Sequence, residues 1–84
     1  MNKNIIQDVE KVLRDQDPID LIAEGAPEDE YEGEAELIAR KLRETPSEEA
    51  LRIYVVDLIK LKFSVEINTE RLELLVKKLL EIQI

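Results

Sequence analysis

Four stretches of this chain carry apolar residues at helical spacing, and almost nothing interrupts them. Its 84 residues include only two glycines and three prolines. A chain so poor in turn formers has to bury helical stripes against one another. Cysteine is absent, so neither a disulfide framework nor a thiolate metal site can substitute for that packing. The length fixes a single domain over residues 1–84. A domain of this size buries only about 60% of the surface its unfolded chain exposes, which keeps its stability moderate. The hydrophobic fraction of 44% is enough for a folded globule and too high for a disordered tail. The expected fold is all-α: a compact four-helix domain with a long acidic loop between helices 1 and 2.

The first helix is predicted from Asn4 to Arg14. Ile5, Val9 and Val12 form its stripe, and Ile6 and Leu13 widen it. Asp17-Pro18 stops it, because the residue before proline is pushed out of the helical region. Gln16 to Tyr31 is the least regular stretch, with Ile19, Leu21 and Ile22 expected to pin it to the core and Gly25-Ala26-Pro27 to turn it. Loops of this length in small domains are often functional. The second helix is expected from Glu32 to Glu44, with Tyr31, Ala35, Ile38 and Leu42 on one face. Its early glutamates and late Arg40, Lys41 and Arg43 suit the helix dipole.

The third helix has the clearest start. Thr45-Pro46-Ser47-Glu48 reads as a capping box with Thr45 at the N-cap and Pro46 at the first helical position, and the helix continues to about Lys62. Leu51, Tyr54, Val55, Leu58 and Ile59 face one way, and Ile53 and Val56 add a flank, so this helix is expected to be the most buried. Phe63, Val65 and Ile67 alternate with polar residues in an extended link. Asn68 or Thr69 caps the last helix, which runs to about Ile82 on a stripe of Leu72, Leu75, Val76 and Leu79. Leu74, Leu80 and Ile82 lie off that stripe and offer a homodimer contact or a partner groove, unless the first helix and the loop cover them.

Charge is unevenly placed. The formal net charge is -8. Residues up to Glu48 hold 14 acids and 6 bases, which is the whole imbalance, and the remainder holds 6 of each. Between Asp15 and Glu36 ten acids occur with no base. Such a field repels phosphates, which argues against nucleic-acid binding. It attracts a basic protein surface or a divalent cation. The plainer alternative is a solvated, solubilising face.

Little chemistry beyond recognition is encoded. Histidine is absent, so no imidazole activates Ser47, Ser64, Thr45 or Thr69, and no glycine-rich phosphate loop is present. No cofactor is expected. Asp15 to Ala26 fails the calcium-loop pattern, because its sixth position is Asp20 and its twelfth is Ala26. A weak divalent-cation or carboxylate-based catalytic site among the acids is the reading from another class. Without an apolar run long enough for a membrane span or signal peptide, a cytoplasmic protein is the default. Tyr31, ringed by Asp29, Glu30 and Glu32, reads either as a surface anchor for a basic partner or as a core residue of the second helix. The expected partner-binding residues are Asp17, Asp20, Glu28, Asp29, Glu30, Tyr31 and Glu32.

Asp17-Pro18-Ile19, Ala26-Pro27-Glu28-Asp29-Glu30-Tyr31, the Ile38 to Leu42 stripe and Ser47-Glu48-Glu49-Ala50-Leu51 follow in order. Together they resemble the YugE-like group of small bacterial helical proteins, over about Arg14 to Phe63. Gln16 and Asp20 depart from that pattern, which often has an aromatic and a glycine at those places. The resemblance implies a compact all-helical fold and carries no activity. Asp20-Leu21-Ile22, followed by acids and a new helix, is also similar to the colicin nuclease immunity proteins. Those are small, acidic, four-helical inhibitors of a basic toxin; the adjacent tyrosine pair of that family is missing here. The functional expectation is a non-enzymatic interaction module, with an immunity-type inhibitor as the narrower alternative.

Overall fold

Each helix forms where an apolar stripe meets a local stop signal. A computed structural model of the chain describes residues 5–20, 24–25 and 31–82. It holds four helices: α1, Ile5–Gln16; α2, Glu32–Leu42; α3, Glu48–Phe63; and α4, Thr69–Leu80. No strand occurs among the described residues. Helix α1 packs on α2 and α4, and α3 packs on α4 and α2. The radius of gyration is 11.9 Å, matching the ~12 Å of a compact domain of this length.

One core joins all four helices. Ile5, Val9 and Leu13 enter it from α1, so the centre of that stripe passes through Leu13 and not Val12, which is only half-buried. Tyr31, Ala35, Ile38 and Leu42 are all buried, as their spacing predicts. So are Leu72, Leu75, Val76 and Leu79. Helix α3 buries Leu51, Val55, Leu58 and Ile59 but leaves Ile53 55% and Leu61 80% exposed. Its apolar arc is therefore wider than the face that its neighbours cover, which corrects the expectation of a most-buried helix. Off the α4 stripe, Leu74 is 54% exposed and Leu80 is exposed too, while Ile82 packs against the core.

The helix ends refine the sequence reading. Helix α1 runs two residues past Arg14, and Asp17 closes it in a left-handed conformation at φ 43°. The Asp17 amide donates to the Leu13 carbonyl at 2.8 Å, which is the αL closure with proline just after it. Aspartate tolerates that backbone better than most residues. Helix α2 ends at Leu42, where Thr45 donates to the Leu42 carbonyl at 3.0 Å. Thr45 stands at φ 48°, so it closes α2 and does not cap α3. The N-cap of α3 is Ser47, extended at φ -67° and ψ 163°, whose Oγ accepts from the Ala50 amide at 3.1 Å. The predicted Thr45 cap fails because its left-handed backbone is incompatible with the extended N-cap geometry. Phe63 belongs to α3, and Ser64 ends that helix at φ 56°. Asn68 caps α4, its Oδ1 accepting from Glu70 and Arg71 amides at 2.9 and 3.2 Å.

The stretch between α1 and α2 is seen only in part. Residues 17–20 turn back, Asp20 donating to the Asp17 carbonyl at 3.0 Å, and Glu24 donates to the Asp20 carbonyl at 3.0 Å. Ile19 packs against the core as expected. The expectations placed on Leu21, Ile22, Ala26 and Pro27, and most of the long acidic loop, lie outside the described residues.

Candidate functional site

The end of α1 and the start of α2 carry the acids that the sequence singles out. Of these, Asp17, Asp20, Tyr31 and Glu32 are described; Glu28, Asp29 and Glu30 lie outside the described residues. Tyr31 precedes α2 without capping it by a side chain. Its ring is 1% exposed and meets Phe63 edge to face, with centroids 6.3 Å apart. Its hydroxyl donates to Asp17 Oδ1 at 2.8 Å. A ring so buried cannot serve as an exposed anchor. Of the two sequence readings of Tyr31, the structure selects the core residue.

Asp20 is also engaged. Arg71 Nη1 donates to Asp20 Oδ1 at 2.6 Å, and it lies 3.4 and 3.5 Å from the Asp17 and Pro18 carbonyl oxygens. Both side chains remain nearly half exposed. The hydrogen bond from Arg71 to Asp20, with the charge of Asp20 behind it, holds the guanidinium pKa above its usual value. Asp17 and Asp20 thus tether the post-α1 turn to Tyr31 and to the first turn of α4.

Beside this tether lies an open cleft of about 390 Å³. Pro18, Ile19 and Asp20 line one side, and Val65, Glu66 and Arg71 line the other. Glu66 and Val65 are exposed, and no described residue forms an ion pair with Glu66. Further along the acidic stretch, Glu24 and Glu32 are exposed, again with no ion pair to a described residue. Glu36 pairs with Arg40 at 2.8 Å. Glu34 is buried in the first turn of α2, and its Oε1 has no hydrogen-bond partner. The positive end of the helix dipole offsets part of the cost of burying that carboxylate.

A second cross-helix tie lies on another face. Arg52 of α3 grips Glu73 of α4 through Nε and Nη2 at 2.6 and 2.9 Å, and reaches Glu48 at 2.7 Å. The hydrogen bond from Arg52 lowers the Glu73 pKa. Between α2 and α3 a shallow groove of about 310 Å³ is lined by Leu37, Tyr54, Leu58 and Leu61, with Asp57 and Lys62 at its edge.

In chemical terms the site offers carboxylate and carbonyl oxygens, which accept hydrogen bonds. Among the described residues, no group of three or more acids is arranged to hold a metal ion, and no helix is long and apolar enough to cross a membrane. Sequence reasoning missed Arg71 and Phe63, the two residues that hold the turn and Tyr31 in place. One signal pointed to Arg71: a base in the first turn of a helix opposes the dipole, so it calls for an acidic partner from elsewhere in the chain. No family model matches this chain, and neither the curated proteins nor the solved structures contain a match to it.

Proposed function

We propose that this protein is a cytoplasmic, non-enzymatic interaction module that docks a basic protein surface against the acidic stretch between Asp15 and Glu36. One observation carries this reading: Glu24 and Glu32 stand exposed in a stretch with no base of its own and form no ion pair with a described residue, while Arg71 pairs with Asp20 and Arg40 with Glu36. Unbalanced exposed carboxylates steer a positively charged partner and set its orientation. Asp17 and Tyr31 contribute indirectly, by fixing where the stretch leaves α1 and enters α2. An immunity-type inhibitor of a basic toxin or nuclease is the narrower form of the same proposal.

Affinity capture from a lysate of the source cell tests it. The native protein is run beside a Glu24→Lys, Glu32→Lys double variant whose helical content has been checked. A basic protein retained by the native form, lost by the variant and released by salt is the expected result. Identical retained sets from both would overturn the proposal. Exposed Leu74 and Leu80 favour a second reading, a homodimer through α4. Sedimentation that shows only monomer across a concentration series removes it.

A further inference from the structure

Helix α3 sends one row of side chains to solvent. Ile53, Asp57 and Leu61 follow at four-residue spacing and all are exposed, Leu61 at 80%. Such a row is the kind of ridge that packs into a groove on a neighbouring helix. A groove lies beside it on the same molecule, where Leu37 of α2 and Tyr54 and Leu58 of α3 line about 310 Å³. The Tyr54 hydroxyl is already engaged, donating to the Leu37 carbonyl at 3.4 Å, so the floor presents apolar surface. One molecule therefore carries both a ridge and, next to it, a receiving groove. We infer that a second copy of this chain occupies the groove, through an antiparallel two-fold pairing of α3 with α3.

Charge selects this occupant. Asp57 and Lys60 are exposed, and neither forms an ion pair with a described residue. Three residues apart, they are neighbours on the helix surface. An antiparallel pair with its two-fold axis between Leu58 and Ile59 sets Asp57 level with Lys60 of the second copy, and Lys60 level with Asp57 of that copy. The same register sets Leu61 of the second copy midway between Tyr54 and Leu58, over the groove. Two ion pairs and two covered leucines thus follow from one placement. The face also stands apart from the molecule's excess charge, since the residues after Glu48 hold 6 acids and 6 bases. A basic partner meets Lys60 and Lys62 there and an acidic one meets Asp57, whereas a second copy answers both signs. The inference is independent of the acidic-stretch reading, and its face is not the Leu74 and Leu80 face of α4.

Sedimentation velocity over a concentration series tests it with the full chain. The changes fall at Asp57, Lys60, Leu61 and Leu74, all exposed, and circular dichroism verifies the fold of each variant. The native protein is expected to dimerise as concentration rises, and Leu61→Lys to stay monomeric where Leu74→Lys still dimerises. Asp57→Lys and Lys60→Asp are each expected to weaken association by about two- to thirtyfold, the range for two exposed ion pairs. Mixing those two variants, or combining both changes in one chain, restores the pairs and with them the native affinity. Asp57→Lys also reduces the net negative charge, so general repulsion alone predicts the opposite sign for it. A native chain that is monomeric at every concentration overturns the inference. So does a dimer that is lost in Leu74→Lys and kept in Leu61→Lys, which places the contact on α4. Single charge variants that associate like the native chain overturn it too, since Asp57 and Lys60 would then not meet across the axis. None of these outcomes alters the capture of a basic protein by the acidic stretch, so the two readings fail separately.

Discussion

Helices α2 and α3 begin in opposite ways. Helix α3 is started by its own local chemistry: Ser47 is exposed, and its hydroxyl takes up the Ala50 amide three residues on. Helix α2 lacks a side-chain cap, and the residue in that position is the buried Tyr31. Its start is fixed from outside the helix, by Phe63 of α3 against the ring and Asp17 at the hydroxyl. The lesson is that a helix boundary can be specified by packing in place of capping. A boundary of the first kind is set by residues within one turn of it, and one of the second kind by residues brought in from the assembled core.

Breaking the packed start has the largest expected effect. Tyr31→Ala removes a fully buried aromatic and should destabilise the fold by about 3–5 kcal/mol in urea denaturation. Tyr31→Phe keeps the ring and loses the bond to Asp17, at a cost of about 1–2 kcal/mol. If both variants lost the same stability, the hydroxyl and not the ring would define the boundary. At the capped starts, Ser47→Ala and Asn68→Ala should each cost about 1 kcal/mol, well below Tyr31→Ala. Equal losses at all three positions would erase the distinction.

Thr45 sharpens the contrast from the other side. A β-branched residue at φ 48° is strained, and here it separates α2 from the Ser47 cap. Thr45→Gly relieves that strain at some cost in chain entropy, for a net gain of about 0.5–1 kcal/mol in the same assay. The smallest effect is electrostatic. The folded state depresses the Glu73 pKa through Arg52, so this pair stabilises the fold above the ordinary glutamate pKa and is lost as pH falls through the depressed value. The difference in urea midpoint between native protein and Glu73→Gln should be present at neutral pH. It should vanish once the pH falls well below about 4. A difference that persisted in acid would assign the effect to packing of the Glu73 stem.

What the sequence made legible follows the same division. Stripes at three- and four-residue spacing are local, so the four helices and most of their buried faces could be read directly. Caps are local too, but the Thr45 cap read from the sequence and the Ser47 cap that forms differ by backbone conformation, which is not written in residue type. The site was less legible, because its ties span long separations: Tyr31 to Asp17 is 14 residues and Arg71 to Asp20 is 51. Residue type marked Asp17 and Asp20 as acids in an acidic stretch. It could not show that both are engaged within the fold, so that Asp15, Glu24, Glu32 and Glu36 are the exposed acids among the described residues of the stretch.

The packing of α1 on α4 has a consequence for how the chain is made. Ile5, Val9 and Leu13 leave the ribosome early, yet part of their cover is an element beginning at Thr69. At ~5–20 residues per second, roughly 3–10 seconds pass between synthesis of the post-α1 turn and of the helix that carries Arg71. For that interval the nascent amino-terminal half has an unfinished apolar face together with nearly all of the molecule's excess negative charge. Like charge on neighbouring nascent chains opposes contact between those faces until α4 is made.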